Sequence, residues 1–266
     1  MKHLYKTTDL IQSLTTVVFL TLFMVNATAQ LPRYYQEEAK NNEGTVLTAN
    51  ILFGAHLPAG DLSDRFGSYL STGLGVDLIT NDDWVFGGQW NFNFGTKVKE
   101  DVISTVRGDD GLIFGENGDI ASSIALRLRG MYLGAHLGKI FRLNAKKRSG
   151  IRTTVGAGFF QHKVRIQDDP VVLVPQLNKT YKRGYDRLTN GVGITEFIGY
   201  QHLGPLRRAN FIIGIELTQA FTQNRRNFNY DTRSQDSGSR LDLSYGFRLG
   251  WQLPFYLGES AEDIRY

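Results

Sequence analysis

In Trp84-Val85-Phe86-Gly87-Gly88-Gln89-Trp90-Asn91-Phe92-Asn93-Phe94, large apolar side chains recur at every second position while Gly, Gln and Asn fill the gaps. An extended chain with that period has one greasy face and one polar face. Five of the six residues on the greasy face are Trp or Phe, and the alternation returns in Leu241 to Trp251, where Asp242, Ser244 and Arg248 fall on the opposite face. A soluble sheet can alternate in the same way, but so aromatic a face over about ten residues fits the wall of a closed barrel in a bilayer. Lipid wets the outside of such a wall and polar side chains line the inside.

The N-terminus supplies a route to a membrane. Lys2 and Lys6 precede an apolar stretch from Leu14 to Val25, and Ala27-Thr28-Ala29 offers the small residues of a cleavage site, so residues 1–29 read as a signal peptide cut before Gln30. The apolar core falls short of the about 20 residues that a spanning helix needs. With no cysteine in the chain, a lipid anchor through an N-terminal Cys, disulfides and thiolate metal sites are all excluded. The expected location is the bacterial outer membrane.

No other segment resembles a transmembrane helix, so a membrane protein of this sequence crosses with strands. The mean hydropathy of −0.25 is too polar for a helical membrane protein, whereas 29 Gly, 12 Tyr and 17 Phe suit a barrel. The formal charge is +4, and losing Lys2, Lys6 and Asp9 with the leader makes it +3. So small an excess, spread along the chain, does not point to nucleic acid.

Eight strands are expected, at 45–57, 68–80, 84–97, 122–142, 150–166, 189–203, 210–223 and 240–256. Their connections alternate between short, turn-like segments (81–83, 144–149, 204–209) and longer polar loops (58–67, 98–121, 167–188, 224–239). That asymmetry predicts an all-β fold, an eight-stranded antiparallel up-and-down transmembrane β-barrel over residues 44–257 with turns in the periplasm and loops outside. Residues 30–43 and 258–266 then form periplasmic segments. Trp84, Tyr200, Phe211, Trp251 and Phe255 fall near strand ends on the turn side and are expected to form the periplasmic aromatic girdle. Strands four and six alternate poorly, and a bulge near Gly130 or Gly134 would account for the first.

The leader, the alternating strands and the aromatic-rich last strand Leu241 to Phe255 resemble the small outer-membrane barrels of the OmpX and OmpA transmembrane-domain type. The likeness spans residues 44–257 and is architectural rather than a matter of motifs, so it implies a fold and leaves the activity open. It also implies the barrel assembly machinery as a partner during biogenesis. Proteins of that type end on a strand-terminal aromatic; here Phe255 or Tyr256 closes the strand and Tyr266 ends the chain.

An eight-stranded barrel is only wide enough for side chains to fill it. The inward set predicted from the alternation is Asp77, Gln89, Asn91, Asn93, Arg127, Arg129, Arg152, Glu216, Asp242 and Arg248, a mixture of signs able to pair across the lumen. Such a network is first a structural plug; a proton or ion path along the charges is the sharper alternative.

His56, His136, His162 and His202 lie on different strands, and no spacing presents a nucleophile with its acid. HExxH, GxSxG and phosphate-loop patterns are absent, so catalytic, cofactor-binding and metal-binding residues are all assigned as none. Gly108-Asp109-Asp110-Gly111 and Glu116-Asn117-Gly118-Asp119 gather oxygen donors without EF-hand spacing. Between Pro170 and Pro175, Val171, Val172, Leu173 and Val174 form an apolar run outside the bilayer, which needs cover from the barrel mouth or from another envelope protein. Lys179, Lys182, Arg183, Arg187, Arg225, Arg226 and Arg233 make the outer rim basic, matching outer-membrane lipid and lipopolysaccharide. The leading expectation is a non-enzymatic barrel acting by contact, as an accessory subunit or a surface adhesion or stability protein. A lipid-modifying acyl hydrolase or transferase and a narrow small-solute channel are the alternatives.

Overall fold

Alternating strands with one greasy face bury nothing on their own, and they are stable in lipid only if the ring closes. In the computed structural model, which describes residues 44–144, 147–204 and 210–257, it does. The strands are β1 (Thr45–Gly60), β2 (Tyr69–Ile79), β3 (Trp84–Gly95), β4 (Ala125–Asn144), β5 (Lys147–Gln167), β6 (Thr189–Leu203), β7 (Asn210–Asn224) and β8 (Ser239–Leu257). Each pairs antiparallel with the next, and β8 returns to β1 from Thr45↔Leu257 to Gly60↔Asp242. The proposed leader, the segment 30–43 and the tail 258–266 lie outside the described residues, as do 145–146 and 205–209 within two of the turns.

No bulge occurs at Gly130 or Gly134. The pairing of β4 with β3 and β5 runs unbroken through both, and the register shifts between Arg142 and Asn144, next to the turn. The poor alternation of β4 has a different cause, a set of small residues on its inner face. A Cβ on Gly134 would come within 2.4 Å of the Tyr132 hydroxyl, so glycine there lets the Tyr132 ring lie across the inner wall and reach Thr195 at 3.2 Å. In β6 the inner face is Gly191, Gly193, Thr195 and Phe197, while Val192, Glu196 and Ile198 are exposed outside.

Leu74, Val76, Phe86, Trp90, Leu133, Leu137, Val155, Ile215, Phe247 and Leu249 are exposed on the outer wall, a belt of apolar side chains that only a lipid or protein surface would cover. The interior has three storeys. At the turn end Val46, Ile79, Val85, Ile140 and Leu203 pack together with Tyr256. At the loop end a larger cluster, including Phe66, Val102, Ile103, Leu128, Phe160, Val164 and Leu177, joins the loops to the upper strands. Polar and charged residues fill the storey between.

Candidate functional site

The middle storey is built from inward positions of all eight strands. Asp77 on β2 is its hub: it accepts from Arg152 at 2.7 Å, from Asn50 at 2.9 Å, and lies 2.7 Å from the ring nitrogen of His136. Arg152 also reaches Gln201 at 3.2 Å, and Gln252 donates to Asn50 at 3.0 Å. Across the lumen Arg248 forms an ion pair with Glu216, donates to Gln89 at 3.0 Å and lies 5.4 Å from the centre of the Phe197 ring. Nearer the loops, Asp242 takes hydrogen bonds from His162 and Thr222 at 2.8 and 2.5 Å. Asn91 and Asn93 are buried beside these groups. Charges removed from water need partners, and the lumen supplies them from strands far apart in sequence.

Two residues placed in this set by alternation do not belong to it. Arg127 and Arg129 point outward, while Leu128 between them is buried in the upper cluster. The parity of β4 is unbroken, with Leu128, Tyr132 and Ile140 all facing in, but the polarity of its two faces is exchanged here because the apolar core beneath the loops lies inside the wall. Asn50, His56, His136, His162, Gln201 and Gln252 belong to the interior and are absent from the predicted set. Parity alone places them on the inner face, but their partners lie on other strands. Trp84, Tyr200, Phe211, Trp251 and Phe255 lie on the outer wall at the turn end. There Phe211 pairs with Trp251, Tyr200 lies 6.4 Å from Phe211, and the Lys139 ammonium sits 5.3 Å over Trp84.

The four loops close over the barrel as one body. Arg65 from the first loop and Arg187 from the third grip the two oxygens of Glu100 in the second, at 2.8 and 2.9 Å. Arg187 also reaches Asp231 in the fourth loop at 2.5 Å, and Arg226 and Asp186 join the fourth loop to the third. Burial alone would raise the Glu100 carboxyl, but the two guanidinium groups hold it below its ordinary value. A Cβ on Gly184 would strike the Tyr230 ring, so glycine there lets the last two loops touch. The Val171 to Val174 run divides by alternation. Val174 is 7% exposed and Val172 packs against the cap, whereas Val171 and Leu173 are 88% and 68% exposed. Asp169 holds the segment by accepting from the backbone of Val171, Val172 and Ser123.

Two serine–histidine contacts occur among the described residues: Ser149 Oγ lies 3.3 Å from His202 Nδ1 at the turn end, and in the lumen His56 Nε2 lies 2.8 Å from Ser71 Oγ. The other ring nitrogen of His56 has no hydrogen-bond partner among the described residues. The pair therefore lacks the acid that would orient the imidazole of a hydrolytic triad, and the ring stacks on Tyr69 at 4.9 Å. Among the described residues, no group of three or more His, Asp or Glu could hold a metal ion. In the Asp-rich second loop, Asp101 pairs with Arg107 and Asp110 accepts from the Leu112 amide.

No protein-family model matches the chain, and neither does any curated protein. Among solved structures it is similar to Neisserial surface protein A, at 13% identity over 80% of this chain and 98% of that one, with a TM-score of 0.41. The attachment invasion locus protein Ail of Yersinia pestis matches at 14% identity over 79% and 99%, TM-score 0.39. The outer membrane protein AlkL matches at 9% identity over 87% and 99%, TM-score 0.34. The barrel itself is given by the closed ring of paired strands in this chain.

Proposed function

We propose that the protein is a non-enzymatic outer-membrane barrel that works by contact, as an accessory subunit of an envelope complex or as a surface adhesion or stability protein. The observation that carries this reading is the filled lumen. A paired polar storey lies between two apolar clusters, one at each mouth, which leaves the outer wall and the cap as the surfaces available for work. The apolar belt supports insertion among membrane lipids. On the cap, Val171 and Leu173 stand in solvent on a segment tied down by Asp169, so a partner there would meet a preformed surface.

The test is isolation of the full chain in mild detergent, comparing wild type with Val171→Asp/Leu173→Asp. Wild type is expected to carry a stoichiometric envelope protein or to confer surface attachment on cells. The variant is expected to lose that property while keeping a folded band that migrates faster before boiling than after. A wild type that neither retains a partner nor supports attachment would refute the contact reading.

A further inference from the structure

Four cations stand side by side where β4 and β5 leave the apolar belt. Arg127 lies directly opposite Arg165, and Arg129 directly opposite Lys163. Like charges facing each other across a strand pair destabilise it, yet none of the four meets a carboxylate among the described residues. Arg127 donates to Gln167 at 2.7 Å, and Arg129 donates to the Leu128 carbonyl at 2.8 Å while lying 5.9 Å over the Phe92 ring. Most of their N–H donors stay free. Among the loop cations, Arg65, Arg187, Arg226 and Lys182 each hold a carboxylate, whereas Lys99 donates to the Ser63 carbonyl and Arg225 to Asn190; what sets Arg127, Arg129, Lys163 and Arg165 apart is that all four face one another in two cross-strand pairs.

The height of the cluster selects its ligand. Lys139 lies beside the girdle residue Trp84, and Arg129 is ten residues further along β4. At about 3.4 Å per residue and about 40° of tilt, that is about 26 Å up the wall, against about 25 Å for the apolar band of such barrels. Arg129 therefore sits where hydrocarbon gives way to headgroups, its guanidinium over an aromatic ring and its stem along the belt.

We infer that Arg127, Arg129, Lys163 and Arg165 form a binding site for the phosphate groups of a phosphorylated glycolipid in the outer leaflet. A guanidinium matches a phosphate in shape as well as charge. Lys163 also lines a cleft of about 850 Å³ that holds Lys179 and Arg183 together with Asp168, Asp169 and Asp186; its mixed charge suits the hydroxyl groups of the attached sugars, with the phosphates at the four cations outside it. The inference rests on the outer-membrane reading, and its test fails separately from it, because folding and insertion are read by the heat-dependent shift in migration.

The full chain is reconstituted in phosphatidylcholine vesicles and its affinity is measured for bisphosphorylated lipid A and for the same lipid with both phosphates removed. Wild type is expected to prefer the phosphorylated lipid by at least about tenfold, because several Lys and Arg side chains at the membrane surface attract its phosphates together. The variant Arg127→Gln/Arg129→Gln/Lys163→Gln/Arg165→Gln is expected to lose that preference while keeping its folded band. Should this variant not fold, Arg129→Gln alone is expected to lower the preference measurably. Equal binding of the two lipids by wild type, or a preference retained in the folded variants, would overturn the site. Competition by inorganic phosphate or a sulfated oligosaccharide as effective as that by lipid A would overturn the assignment to a membrane lipid.

Discussion

Replacing Arg248 by Leu removes one side of the ion pair with Glu216, the hydrogen bond to Gln89 and the contact with the Phe197 ring in a single step. Glu216 is buried on the inner face of β7, so its carboxylate is left without a compensating charge. Asp242, which sequence proximity makes a second candidate partner, bonds instead to His162 and Thr222 and should be unaffected. Breaking a buried pair by deleting one member costs about 3–5 kcal/mol. With a urea slope of about 2 kcal/mol per molar, the unfolding midpoint in lipid vesicles should fall by about 1.5–2.5 M. Changing Glu216 to Leu as well removes the stranded charge, and the double variant should recover most of the loss, leaving only the unpaired Gln89 amide oxygen. An unchanged midpoint for Arg248→Leu, or a double variant as unstable as the single one, would refute the view that a compensated charge pair fills the lumen.

The outer wall and the cap make their own predictions. Glu196 is exposed outside β6 four residues above the girdle residue Tyr200, about 10 Å into the apolar band, so Glu196→Leu should raise the urea midpoint by the equivalent of about 1–2 kcal/mol. Leu133→Arg, within the same band, should destabilise by about 2–4 kcal/mol, while Phe92→Arg, eight residues above Trp84 and close to the outer boundary, should cost about 1 kcal/mol or less; equal costs would contradict the depth assignment. In the cap, a carboxyl held below its ordinary value stabilises the folded state above about pH 4.3 and loses that contribution as pH falls further. Glu100 should therefore let the loops loosen on acidification, read as faster cleavage by an acid-active protease at pH 3 than at pH 5, and Glu100→Gln should abolish that difference.

The alternation in Trp84 to Phe94 and Leu241 to Trp251 made the strands legible, because in lipid the period of two decides which face is wet. Strand order and closure follow from the alternating loop lengths, and the place of Trp84, Phe211 and Trp251 on the outer wall at the turn end follows from their positions at the strand ends. The rule fails where its physical premise fails. Arg127 and Arg129 alternate with Leu126 and Leu128 just as lumen residues should, but they stand above the belt, where wet and dry sides are exchanged. The same inversion governs Lys163, Val164, Arg165 and Ile166 on β5. Nor could spacing pair Asp77 with Arg152, 75 residues away, or show that Glu100 gathers Arg65 and Arg187 from two other loops. Those contacts exist only once the ring has closed. The run from Val171 to Val174 was visible as apolar, and its division into a buried and an exposed pair depended on how Asp169 anchors its backbone.

The claim that the lumen is sealed, and that the outer surfaces carry the function, meets its most direct test in conductance across a planar bilayer. With the full chain inserted in molar potassium chloride, and its insertion verified by the heat-dependent shift of recovered protein, a lumen filled from wall to wall should give no current steps above the lipid baseline at either polarity. Reproducible single-channel steps from the wild type, abolished by denaturation, would show an open path past Asp77, Arg152 and Arg248 and would contradict it.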